Sequence, residues 1–100
     1  MKLLTKELLK QIPPRYSQEN TLDPICWAKL FTPWSYWNWY IIEFDPKENL
    51  CFGYVEGHEA ELGYFDLEEL EEIKGPLGLK IERDRHFAPK KLSEVKKEHR

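Results

Sequence analysis

From Tyr36 to Phe44 the chain reads YWNWYIIEF, and a strand drawn through it is apolar at both parities. Trp37, Trp39 and Ile41 fall on one face; Tyr36, Asn38, Tyr40, Ile42 and Phe44 fall on the other. A strand with large side chains on both faces needs cover above and below, so this segment predicts the central strand of a sheet. Six of the ten residues from Phe31 to Tyr40 are aromatic, and three of the four tryptophans lie there. A core and a binding face could both use that concentration.

The flanking segments supply partners for such a strand. ICWAKLF places Ile25, Trp27, Lys29 and Phe31 on one face and stops at Thr32-Pro33. DPKEN carries proline at a favoured turn position. LCFGYV then returns with Leu50, Phe52 and Tyr54 on one side, and Gly53 opposes a large neighbour or marks a bulge. ELGYF reads as a short fourth strand and LKIERDRHF as a last one. Short turns between these runs favour antiparallel pairing.

Two helices have local start and stop signals. Thr5 caps the first, Leu4 and Leu9 form a hydrophobic staple across its start, and Pro13-Pro14 ends it. RYSQENTLDP is then a polar loop. In FDLEELEEIKGP, Asp66 is the cap and Glu69 completes a capping box. Phe65 and Leu70 form the staple there, and Leu67, Leu70 and Ile73 make one apolar stripe ending at Gly75-Pro76. LSEVKKEHR reads as a short, frayed helix or a tail. The expected class is α+β: a mostly antiparallel sheet of four to five strands with two short helices packed on one face. One hundred residues make one domain, 1–100, with the N-terminal helix in 1–13, the sheet and acidic helix in 25–87, and a short C-terminal helix or tail in 88–100.

The charge is 33% of residues, with a net −3 and a pI near 5.6. That balance is a poor match to a duplex-DNA binder. It is also uneven: residues 59–72 hold seven acids (Glu59, Glu61, Asp66, Glu68, Glu69, Glu71, Glu72) and no Lys or Arg. Residues 90–100 hold five Lys or Arg against two Glu. MKLL runs straight into Thr5, Lys6 and Glu7, so no apolar secretory stretch is read, and no run has the ~18 apolar residues a membrane span needs. The expectation is a cytosolic protein with Cys26 and Cys51 as reduced, buried core residues.

The motifs TPW, WYIIEFD, ELGYF and GPLGLKIERD, in this order, together with the opening LLTKELLKQIP, resemble the bacterial family called domain of unknown function 2958. The resemblance runs nearly the whole length. It implies a small cytosolic protein, often carried on plasmids, conjugative elements and phages, with no established catalytic activity and no catalytic residues to carry over.

Each candidate site has a plain structural reading beside a functional one. Trp37 and Trp39 suit a core under the helices, while Tyr36, Asn38 and Tyr40 carry hydroxyls and an amide that favour the wetter face. Trp34, in a turn after Pro33, is the ring most expected to be exposed. Two short helices leave one sheet face incompletely covered, and a partly exposed aromatic row can anchor a protein or stack on single-stranded nucleic acid. Arg83 and Arg85 share a strand face; cross-strand ion pairs explain them, and a phosphate clamp would need them beside the tryptophans. GHEAELG is not HExxH, so a metal there would need His86 or Asp84 from elsewhere. Glu68, Glu69, Glu71 and Glu72 read as a solvated helix face, or as carboxylates that mimic phosphates in a basic groove.

The expectation is therefore a non-enzymatic interaction protein of a mobile element. It would bind a host or element protein through Trp34, Tyr36, Trp37, Trp39 and Tyr40, through Glu68, Glu69, Glu71 and Glu72, or both. The second reading is a single-stranded nucleic-acid binder using the aromatics with Arg83 and Arg85. A hydrolase or metal enzyme around His58 and His86 ranks third, and neither cofactor nor metal is expected.

Overall fold

The aromatic segment becomes the middle of a five-stranded antiparallel sheet. The computed structural model describes residues 2–98; position 1 of the expected N-terminal helical segment and positions 99 and 100 of the C-terminal one lie outside the described residues. Strands β1 (Ile25–Cys26), β2 (Ala28–Phe31), β3 (Asn38–Asp45), β4 (Leu50–Glu56), β5 (Ala60–Asp66), β6 (Glu82–Arg83) and β7 (Lys90–Lys91) alternate with helices α1 (Lys6–Gln11), α2 (Leu67–Glu72) and α3 (Leu92–Glu98). The large sheet runs β5-β4-β3-β2-β6, and β1 pairs with β7 in a separate two-stranded ladder.

Both faces of β3 are buried, each in its own cluster. On the first face Trp39, Ile41 and Phe44 pack with Leu30, Cys51 and Ile81 under α1 and α2, which contribute Ile12, Leu67 and Leu70 from the helices or their caps. On the second face Cys26, Tyr40, Ile42 and Tyr54 pack under Leu92 and Val95 of α3, with Phe87 and Phe52 at the margin. The C-terminal segment is thus a helix that covers the second face. Two apolar residues in LSEV are a weak local signal. What fixes α3 is long-range: Asp23 accepts hydrogen bonds from the Ser93 amide at 2.9 Å and the Ser93 hydroxyl at 2.7 Å.

The expected helix starts are observed. The Thr5 hydroxyl accepts from the Leu8 amide, and the chain turns extended at Ile12, before Pro13, where a helical conformation is disfavoured. The Asp66 carboxylate accepts from the amides of Glu68 and Glu69. α2 stops at Glu72, short of the expected Gly75-Pro76, which instead begin a 3-10 turn over Pro76–Gly78. The last expected strand shrinks to two paired residues, while ELGYF extends to a full seven.

A bulge changes one face assignment. Ile41 pairs with Gly53 and Glu43 pairs with Phe52, so Ile42 is an extra residue on β3. Beyond it the alternation reverses, and Phe44, paired with Cys51, joins the first cluster instead of the second. The same step turns Glu43 toward the loop 13–24. Its buried carboxylate accepts from the amides of Tyr16 (2.9 Å) and Gln18 (2.8 Å), holding a turn in which Tyr16 has φ 70°. No described helix is long and apolar enough to cross a membrane.

Candidate interaction surface

The aromatic residues divide differently from the simple alternation. Trp39 is buried as expected, and Trp37 stacks on it at 5.8 Å while remaining half-buried over Gly57. Tyr36 is exposed, its hydroxyl 2.9 Å from His58 Nδ1. Tyr40, expected on the wet side, is buried beneath α3 and 5.7 Å from the Phe87 ring. Burial pushes the Tyr40 phenol well above its ordinary value, and the neighbouring Glu56 carboxylate adds to that. Asn38 is partly covered and donates to Glu56 at 3.1 Å. Trp34, expected to be exposed, is half-buried: its ring lies flat against Gly75, where only a residue without a side chain leaves room. Of the five aromatic anchors expected, Tyr36 alone is well exposed.

The uncovered area lies one strand further out. α3 packs on the second face over β1, β3 and β4, and no residue of β5 belongs to that cluster. There Leu62 and Tyr64 pair with Tyr54 and Phe52 across the β4–β5 hairpin, so all four side chains share that face. Leu62 and Tyr64 are about half exposed, and Tyr64 packs on Phe52 at 5.0 Å. The loop 13–24 bends over this end. Its Tyr16 and Leu22, with Phe52, Leu62 and Tyr64, line a groove of about 350 Å³ floored by Ile42 and Glu43. Arg15 lies between the Tyr16 and Tyr64 rings, 4.7 and 5.0 Å from their centroids, and reaches Asp45 at 3.4 Å. Leu62 and Tyr64 were readable in principle, because ELGYF alternates and its hairpin register puts them beside Phe52. Tyr16 and Leu22 sit in a polar loop with no periodicity to mark them.

The acidic run lies across the β5 edge from this area, with Glu61 and α2 on the first face. Glu68, Glu69 and Glu72 are exposed on α2, and Glu71 is partly covered, accepting from the Leu3 amide at 2.8 Å. Asp66 is used as the α2 cap. None of the seven acids of residues 59–72 lies in an ion pair among the described residues.

Arg83 and Arg85 occupy the opposite edge. β6 pairs with β2, not β3: Arg83 lies opposite Leu30, and Leu30 opposite Trp39. The Arg83 Nε donates to the Leu3 carbonyl at 3.1 Å. The two arginines line shallow grooves with Lys2, Lys80 and Ile81 on one side and Lys29, Phe31 and His86 on the other. Trp37 and Trp39 line neither groove. His58 contacts Tyr36 and Trp37, whereas His86 lies beside β6 with its amide bound to Asp84. No three His, Cys, Asp or Glu side chains converge as a metal site among the described residues. Cys26 and Cys51 are fully buried free thiols in different clusters, each pushed up to about 12 by burial.

A family model described as "Protein of unknown function (DUF2958)" matches residues 3–98, so the chain belongs to that family. No curated protein matches this chain, and no solved structure matches it.

Proposed function

We propose that this member of the DUF2958 family is a non-enzymatic interaction protein of a mobile genetic element, acting in the host cytoplasm on a host or element protein. The observation that carries the reading is the open end of the second sheet face. A small domain that covers both faces of its central strand still leaves Leu62 and Tyr64 in water beside the Phe52 groove, while across the β5 edge the acids of residues 59–72 lie in no ion pair among the described residues. Exposed Tyr and Leu around a groove are a surface on which a protein partner gains apolar burial, and a partner that reaches round the β5 edge meets the acids of the first face, which select its charge. Tyr36 is exposed beside His58 at the β4–β5 turn, and Glu68, Glu69 and Glu72 are exposed on α2, on the other face of the sheet.

The test is a Leu62→Ser, Tyr64→Ser double variant, first shown to keep the far-UV spectrum and thermal midpoint of the parent. Immobilised beside the parent protein in host lysate, it should lose the proteins the parent retains. An identical set of retained proteins would remove the reading. The single-stranded nucleic-acid alternative draws on the grooves around Arg83 and Arg85, but exposed rings for base stacking are not beside them, so it stands second.

A further inference from the structure

We infer that the outer edge of β5 is a docking edge, on which an extended segment of a partner protein, alternating apolar residues with Lys or Arg, pairs as an additional strand. The inference rests on the interaction reading above and specifies its geometry.

β5 is the end of the sheet order, and seven residues at roughly 3.3 Å each give an edge of about 23 Å. Apart from its ladder with β4, no backbone group of residues 60–65 is hydrogen-bonded among the described residues. Such an edge is a template for strand addition unless the chain protects it. Here the protection is weak: there is no proline in β5, and no bulge interrupts its pairing with β4.

The two faces of this edge differ, and the difference defines the occupant. Leu62 and Tyr64 point to the second face, beside the apolar groove. Glu61 pairs with Val55 and points to the first face, the face on which α2 packs with its exposed Glu68, Glu69 and Glu72. An added strand sends alternate side chains to these two faces. Apolar residues at one parity would cover Leu62 and Tyr64, and Lys or Arg at the other would meet Glu61 on the face that carries α2. Antiparallel self-pairing centred on Gly63 would set Glu61 opposite Phe65 and leave its charge unmatched, which favours a basic partner strand over a second copy.

The probe is a fluorescein-labelled ten-residue peptide alternating Val and Lys. Its controls are a Val–Glu counterpart and two Val–Lys peptides N-methylated on one or the other alternate set of residues. The Val–Lys peptide should bind and slow amide exchange within residues 60–66, and the Val–Glu peptide should bind about tenfold more weakly or worse. Methylation of one alternate set should abolish binding while methylation of the other spares it, since only one set of amides faces the edge. No binding, binding indifferent to the methylation pattern, or unchanged exchange over residues 60–66 overturns the inference. Slowed exchange there in the protein alone, growing with its concentration, assigns the edge to a second copy and overturns it too. If the Leu62→Ser, Tyr64→Ser variant loses its lysate partners while the peptide test fails, only the strand pairing is lost; if it keeps them all, the interaction reading itself falls.

Discussion

The indole of Trp34 lies so close over Gly75 that a β-carbon there would enter the ring. The contact ties the turn after β2 to the segment after α2, and it makes Trp34 a structural residue. Gly75→Ala should cost about 1–3 kcal/mol, the range for an overpacked contact. Trp34→Ala should also destabilise the fold. Urea midpoints of both variants check this; a Trp34→Ala protein as stable as the parent would return that ring to the binding surface.

Glu43 holds the loop that forms one wall of the groove, through the amides of Tyr16 and Gln18. Glu43→Ala leaves both donors without their acceptor and should cost about 1–3 kcal/mol. Glu43→Gln keeps one acceptor oxygen and should fall between the two. Limited proteolysis should cut the alanine variant faster within residues 14–21, and equal cutting of all three proteins would show that the loop holds itself.

Asp23 gives the stability a definite acid limb. The Ser93 hydroxyl, then its amide, and more weakly Lys91 and Lys96, hold this carboxyl below its ordinary value of 3.8. A carboxyl depressed in the folded state stabilises the fold above its unfolded value, and that contribution is lost as pH falls through the folded value. Stability should therefore decline from about pH 4 downward, in part by release of α3. Asp23→Asn should flatten that decline and lower stability at neutral pH. Asp45 is also lowered: the amides of Glu48 and Lys47 and the Arg15 guanidinium outweigh the opposing effect of burial, so some of the limb will persist. Denaturation midpoints at neutral and acid pH, with the helical signal followed separately, decide the matter.

The two cysteines should be silent in the native protein. With both thiols pushed up to about 12 by burial, the thiolate fraction near pH 8 is on the order of one in ten thousand. An aromatic disulfide reagent should find no fast-reacting thiol before denaturation and two after it. A rapid native reaction would mean that one cluster opens readily.

Much of the fold was legible because its signals were local and agreed with one another. The caps at Thr5 and Asp66, the turn after Asp45 and the double-faced β3 each follow from a few adjacent residues. What was not legible depends on distant partners. Tyr40 carries a hydroxyl and so reads as the wetter side, yet α3 buries it, and α3 is fixed by Asp23, 70 residues before Ser93. Trp34 follows a proline in a turn and reads as exposed until Gly75 is brought beneath it. The candidate surface moved from Tyr40 and Trp34 to Leu62 and Tyr64 for the same reason: which face is covered is a property of the packed helices, not of the strand.

The extra residue at Ile42 also binds the history of two positions together. Next to it the Tyr40 carbonyl lies so close over Gly53 that no side chain fits there. A chain lacking residue 42 would keep Glu43 and Phe44 on the faces they now occupy, since one deletion restores plain alternation. It would also relieve the crowding at position 53. Among descendants of a common ancestor, the insertion in the third strand and the glycine opposite it should be inherited as a pair, and a lineage that sheds one becomes free to replace the other.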